Sequence, residues 1–241
     1  SDLVEEVIVP LLERSIEYDR GVGFFTSGWL KEAAKGLTAL VHHQGKARII
    51  TSPQLSQNDW EIIKSSAEND QKNLVVEKSI RLTLKELERQ LENDTLAALS
   101  WLVSDGFLEF RFAVPKDNLE GGDFHSKLSL FKDCDGNSIA LHGSQNDSTK
   151  ASLNEESLSV FCSWNDGKKW HDEHREWFDM VWSNKFSNLD VLKVNEAARD
   201  EIVRYTKYFD RPYQKLNITE KNDESNLSIP VDIILYDYQK E

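Results

Sequence analysis

His125 and Lys127 are the residues of this chain whose types and spacing most directly suggest chemistry. They lie in Phe124-His125-Ser126-Lys127-Leu128-Ser129-Leu130-Phe131, where polar and apolar residues alternate. Alternation predicts a β-strand, and strand residues two apart share a face, so His125 and Lys127 are expected to point the same way. Asp133-Cys134-Asp135-Gly136-Asn137 predicts a turn. Ser138-Ile139-Ala140-Leu141-His142 predicts a second short strand, running into Gly143-Ser144-Gln145-Asn146. An unbulged hairpin centred on Asp135 and Gly136 sets His125 opposite Asn146 and Lys127 opposite Ser144. Four polar groups then converge. A neutral imidazole serves as nucleophile or as general acid and base. An ammonium and a carboxamide are donors suited to charge developing on phosphate oxygens. A carboxylate behind the imidazole fixes its tautomer, and Glu155 and Glu156 follow at the entry of another β-like run, Leu158 to Cys162. The chemistry this set suits is attack on a phosphodiester.

The constellation resembles the phospholipase D superfamily, whose hallmark is His-x-Lys, a downstream Asp, Gly-Ser-x-Asn and a later Glu. The matching residues are His125, Lys127, Gly143, Ser144 and Asn146, with Glu156 as the acid that orients the histidine. One departure is plain: the family Asp falls five residues after the Lys, which here is Lys132, and Asp133 is one position late. The resemblance covers residues 18 to 185. It implies an α/β fold, a mixed β-sheet flanked by helices in an α/β/α sandwich. It also implies a two-step reaction in which His125 attacks phosphorus and water then releases the phosphohistidine. Lys127, Ser144 and Asn146 would hold the substrate phosphate, with no metal and no other cofactor in this domain.

These groups need a scaffold. Ser1-Asp2 caps a predicted helix carrying Leu3, Val7, Ile8 and Leu11. Tyr18 to Thr26 predicts a buried strand whose small residues, Gly21 and Gly23, let neighbours approach. Ser27-Gly28-Trp29 opens a helix to Val41, Gly45 stops it, and Lys46 to Thr51 is the next strand. That β-α-β order implies a right-handed parallel crossover. Residues 58–104 read as a helical insertion, with Leu84, Leu87 and Leu91 at helical spacing. Phe107 to Val114 predicts a strand, and Gly121-Gly122 precede the His-x-Lys run. Residues 167–183 and 195–209 predict two more helices. The first carries Trp170, Trp177, Phe178, Val181 and Trp182 near one face, a pattern of anchoring on a sheet. His171 and His174 on it are not in a His-Glu-x-x-His arrangement, so a metal site is not expected there.

The phosphodiesterase domain is therefore expected over residues 1–205, with a linker at 206–230. Residues 231–241 contain Leu235-Tyr236-Asp237-Tyr238-Gln239 and resemble the opening of superfamily 2 helicase domains. The only Met is Met180, so the chain does not begin with one. It is expected to be part of a longer protein in which a downstream motor, and only that motor, uses ATP and Mg.

The 241 residues carry 29 Lys and Arg against 42 Asp and Glu, a net charge of −13. That excess argues against nonspecific nucleic-acid binding by the bulk surface, though not against a local basic groove. Cys134 and Cys162 read as free thiols, which fits a cytoplasmic protein. No run is long and apolar enough to suggest a membrane span.

The resemblance implies that DNA is the substrate and that the domain is the nuclease, an endonuclease by analogy, of an ATP-dependent restriction or anti-phage helicase–nuclease. Two other functions fit the residues: a lipid or small phosphodiester hydrolase, and a catalytically silent module docking DNA or a partner. The two-step route needs two imidazoles, and the chain has one His-x-Lys motif. His142 reads as a poor second acid, so a homodimer sharing one active site is expected.

Overall fold

The computed structural model describes residues 4–23, 27–53, 93–116, 124–143, 158–194 and 196–213, with scattered positions between 59 and 85. Its centre is a seven-stranded sheet in the order β6-β5-β4-β1-β2-β3-β7. The strands are β1 (Glu17–Val22), β2 (Lys46–Thr51), β3 (Leu108–Pro115), β4 (Lys127–Lys132), β5 (Ser138–Gly143), β6 (Leu158–Cys162) and β7 (Leu189–Lys193). β1, β2 and β3 are mutually parallel. The other neighbouring pairs are antiparallel. The sheet is mixed, and the class is α/β.

Strand alternation divides the apolar residues between two faces. On one face Tyr18, Val22, Ala47, Ile49, Leu108, Phe131, Ile139 and Leu141 join a cluster with residues from four helices. These are α1 (Val9–Leu12, entered through a π-helical turn at Val4–Ile8), α2 (Ser27–His42), α3 (Asn93–Ser104) and α5 (Glu196–Val203). On the other face Ile50, Ala113, Leu128, Leu130 and Ala140 pack under Phe178, Val181 and Trp182 of α4 (Lys168–Trp182). Trp170, which the sequence groups with that anchoring face, is 52% exposed.

The 58–104 segment lies between two parallel strands, so it is a crossover as well as an insertion. Its last helix, α3, sends Leu96, Leu99, Leu102 and Val103 into the larger core. Ser100 Oγ donates to the Ile202 carbonyl at 2.8 Å, tying α3 to α5. Farther back, Val75 packs on Val114, and Lys78 reaches the buried Asp59 at 2.7 Å. Leu84, Leu87, Leu91, Gly121 and Gly122 lie outside the described residues, as do residues 214–241.

The β4–β5 hairpin differs from expectation by one residue. Lys132 pairs with Ser138 and Leu128 with His142, so extending the ladder sets Lys127 opposite Gly143 rather than Ser144. The turn chemistry is the cause. A two-residue Asp-Gly turn was expected, but the loop closes through Asp133 N donating to Asn137 O at 3.0 Å and Gly136 N to Asp133 O at 3.3 Å. Gly136 sits at φ 86. That is the three-residue hairpin, a turn followed by a left-handed glycine. Asp133, wholly buried, accepts from Asn137 N at 2.8 Å and from its Nδ2 at 2.9 Å. The acid that falls one position late in the motif is thus a brace for this loop.

Candidate active site

β1, β2 and β3 end on the side of the sheet where β4 begins and β5 ends. In open α/β sheets, ligands gather beyond the carboxyl ends of parallel strands. A cavity of about 480 Å³ lies there, lined by Pro115, Phe124, His125, Ser126, Leu128, His142, His174, Trp177, Phe186, Asn188 and Leu189. Its walls are largely apolar. Phe124 is buried and stacks on Trp177, ring centroids 6.2 Å apart and 6° from parallel, while Phe186 meets Trp177 edge-on.

His125 is exposed and lies against Gly23. A β-carbon there would come within 2.8 Å of His125 Cδ2, and one on Gly21 within 2.8 Å of Ser126 Oγ. The small residues of the first strand therefore seat the entrance to the His-x-Lys strand, as the sequence suggests. Gly23 is itself held, since its carbonyl accepts from Ser52 N at 2.9 Å.

Regular β-structure starts only at Lys127, so the alternation expected to align His125 with Lys127 does not extend back to His125. Lys127 falls on the strand face shared by Phe131, opposite the face that α4 covers. It is half-buried and is not among the cavity's lining residues, whereas His125 is. Ser144, Asn146, Glu155 and Glu156 lie outside the described residues.

The structure also brings to the cavity two histidines that the sequence reading did not connect. His142 shares a strand face with Ala140 and Leu128, toward α4. There its ring meets His174 edge-on, with centroids 4.9 Å apart. His174 also touches Phe161 at 5.3 Å. Burial lowers the His174 pKa, and the adjacent His142 lowers it further, against an opposing pull from Glu173. The sequence signal was alternation: His142 lies two residues after Ala140, whose face α4 covers.

His171 belongs to a different environment. Its Nδ1 faces Asp172 at 3.0 Å, and its Nε2 lies 2.8 Å from Ser138 Oγ, itself 2.8 Å from the Phe131 carbonyl. The Asp–His–Ser order superficially matches a hydrolase triad. However, Ser138 and His171 are buried at the hairpin-turn end, away from the cavity. The arrangement secures α4 to the sheet. Among the described residues, no group of three or more His, Cys, Asp or Glu is arranged to hold a metal ion.

Beneath α4 lies a charged layer. Asp19 accepts two bonds from Arg48, at 2.6 and 2.7 Å, and another from Arg175. Burial disfavours the Arg48 charge, but Asp19 and Asp179 more than offset this and raise its pKa. The guanidinium also lies over Phe178 and Trp182, 5.2 and 5.3 Å from their ring centres. These contacts fix how α4 sits on the sheet, and hence where His174 and Trp177 meet the cavity.

Comparison with protein-family models and with curated proteins gave no match. Among the described residues, no helix is long and apolar enough to cross a membrane. Cys134 is exposed, Cys162 is buried, and both are free thiols.

Proposed function

We propose that this chain is a phospholipase D-like, metal-independent phosphodiesterase that cleaves DNA, the nuclease part of a helicase–nuclease of the restriction or anti-phage kind. The observation that carries the reading is His125: an exposed imidazole seated on Gly23 at the mouth of a cavity beyond the carboxyl ends of the parallel strands. The motif residues after β5 add to it, since Ser144 follows Gly143 directly in sequence and Asn146 comes two positions after Ser144. His125 attacks phosphorus, Asn146 takes up charge on the nonbridging oxygens, Lys127 does so from the start of β4 and not from the cavity lining, Ser144 tightens the site, and Glu156 orients the imidazole. DNA as the substrate rests on the motif resemblance, a motor in the same longer chain on the likeness of residues 231–241 to helicase openings, and a cytoplasmic setting on the free thiols Cys134 and Cys162.

The test is to trap the intermediate. Protein mixed with a labelled single- or double-stranded DNA and quenched in alkaline detergent should carry an alkali-stable, acid-labile phosphoryl group on His125. His125→Ala should abolish both label and cleavage. Lys127→Ala should slow cleavage by about 10²–10³, the usual effect of losing one charge-stabilising donor. A loss below tenfold would remove Lys127 from the phosphate. Turnover by pure His125→Ala protein, or activity on lipid micelles but not on DNA, would reject the reading.

A further inference from the structure

We infer that the acid that protonates the leaving oxygen is His142 of the same chain, positioned by His174, and not a histidine from a second copy. The inference rests on the phosphodiesterase reading and replaces only its source of the second imidazole. Three observations carry it. His125, His142 and His174 line one cavity. His142 approaches it from the end of β5, and His125 from the segment that leads into the neighbouring antiparallel strand β4. His142 is exposed to an incoming substrate, whereas His174 is half-buried and held between His142 and Phe161.

The division of labour follows from the like-charge rule. Two imidazoles in ring contact do not both carry a proton readily, so the pair takes up one charge between them. Burial penalises that charge on the half-buried His174, and His142 is the exposed ring of the pair, the one that reaches an incoming substrate. Glu173 favours a cation locally, and His171 opposes it. His174 presents an edge contact that keeps the His142 ring turned toward the cavity. It is a positioning residue.

The steps balance. In the first, a nitrogen of neutral His125 bonds to phosphorus, and the bond from phosphorus to the leaving oxygen breaks. The electron pair departs with that oxygen, which takes the proton of the His142 imidazolium. In the second, water attacks phosphorus, its proton passes to the now neutral His142, and the phosphorus–nitrogen bond breaks with its electrons returning to His125. One water is consumed, and both imidazoles recover their starting states.

A leaving-group comparison tests this. Single-turnover release is measured with a dinucleotide, which departs as an alkoxide and needs a proton, and with a nucleotide p-nitrophenyl ester, which does not. His142→Asn should slow the dinucleotide by about 10²-fold or more. The ratio of ester to dinucleotide rates should rise at least tenfold. His174→Asn should shift the ratio in the same direction by less. An equal fall on both substrates would make His142 structural, and no fall on either would place the acid elsewhere. Each would overturn the inference while leaving the phosphodiesterase standing. Wild-type protein that cleaves neither substrate would reject the phosphodiesterase reading itself. Mixing supplies a second arm that does not depend on the stability of one variant. Wild-type protein mixed with His125→Ala should lose activity only in proportion to the inactive chains, because each site draws both imidazoles from one chain. A loss greater than proportional would restore the shared dimeric site and overturn the inference.

Discussion

Gly23 is the seat of His125: no side chain fits between its backbone and the imidazole, because a β-carbon would stand 2.8 Å from Cδ2. Its backbone is not left-handed, so alanine is tolerated conformationally and acts only by pushing the ring. Gly23→Ala should therefore leave thermal stability nearly unchanged and reduce cleavage by about 10–10², the scale of a small misplacement of a reacting group. Wild-type rates in that variant would show that His125 is not held by this contact when it acts.

Asp19 ties β1 to β2 and α4 through two arginines. Its side chain is 2% exposed, while those of Arg48 and Arg175 are 30% and 21% exposed. Asp19→Ala leaves two guanidinium groups facing each other without their shared carboxylate. The expected cost is about 3 kcal/mol, the lower end for breaking a buried ionic group, because water still reaches both arginines. Urea unfolding of the variant measures it, and a loss under about 1 kcal/mol would mean solvent replaces the carboxylate.

Asp133→Ala removes the acceptor for Asn137 N and Nδ2 inside a closed turn. The expected loss is about 1–3 kcal/mol, or roughly 2–4 °C in melting temperature per kcal/mol at this size. Turnover of folded protein should be little affected, since the loop sits at the far end of the hairpin from His125. A catalytic loss much greater than the stability loss would reassign Asp133 to the site.

Burial lowers the pKa of His43, His171 and His174 below the ordinary 6.5. The unfolded chain then binds more protons than the folded one in the window below 6.5. Stability should be fully present above that value and fall as pH drops through the folded-state pKa values. Urea midpoints at pH 7.5 and pH 5 test the sign. His171→Asn should be less stable at the higher pH and show a shallower decline. A wild-type midpoint that rises on acidification would contradict the burial of these rings as neutral groups.

Much of the scaffold was legible before the structure, because its signals are local. Apolar alternation marks β2, β4, β5 and β6, Gly45 ends a helix, and glycines in β1 point to a close approach. β7 was missed: Leu189-Asp190-Val191-Leu192-Lys193 is short, and it becomes a strand by pairing with β3. The hairpin register turned on one left-handed residue, Gly136. Asp-Gly fits both a two-residue and a three-residue loop, and the braces from Asp133 select the latter.

By itself, the sequence determined the inventory: one His-x-Lys, one Gly-Ser-x-Asn, an acidic chain, and strands and helices in an order that builds an α/β sheet. Those follow from residue type and near-neighbour spacing. Tertiary structure decided which of these residues meet. His142 and His174 are 32 positions apart and come into ring contact only because α4 is fixed in rotation and height. Phe178, Val181 and Trp182 below it and the Asp19–Arg48–Arg175 layer fix that placement. Such a contact depends on packing between distant elements, which no local period encodes.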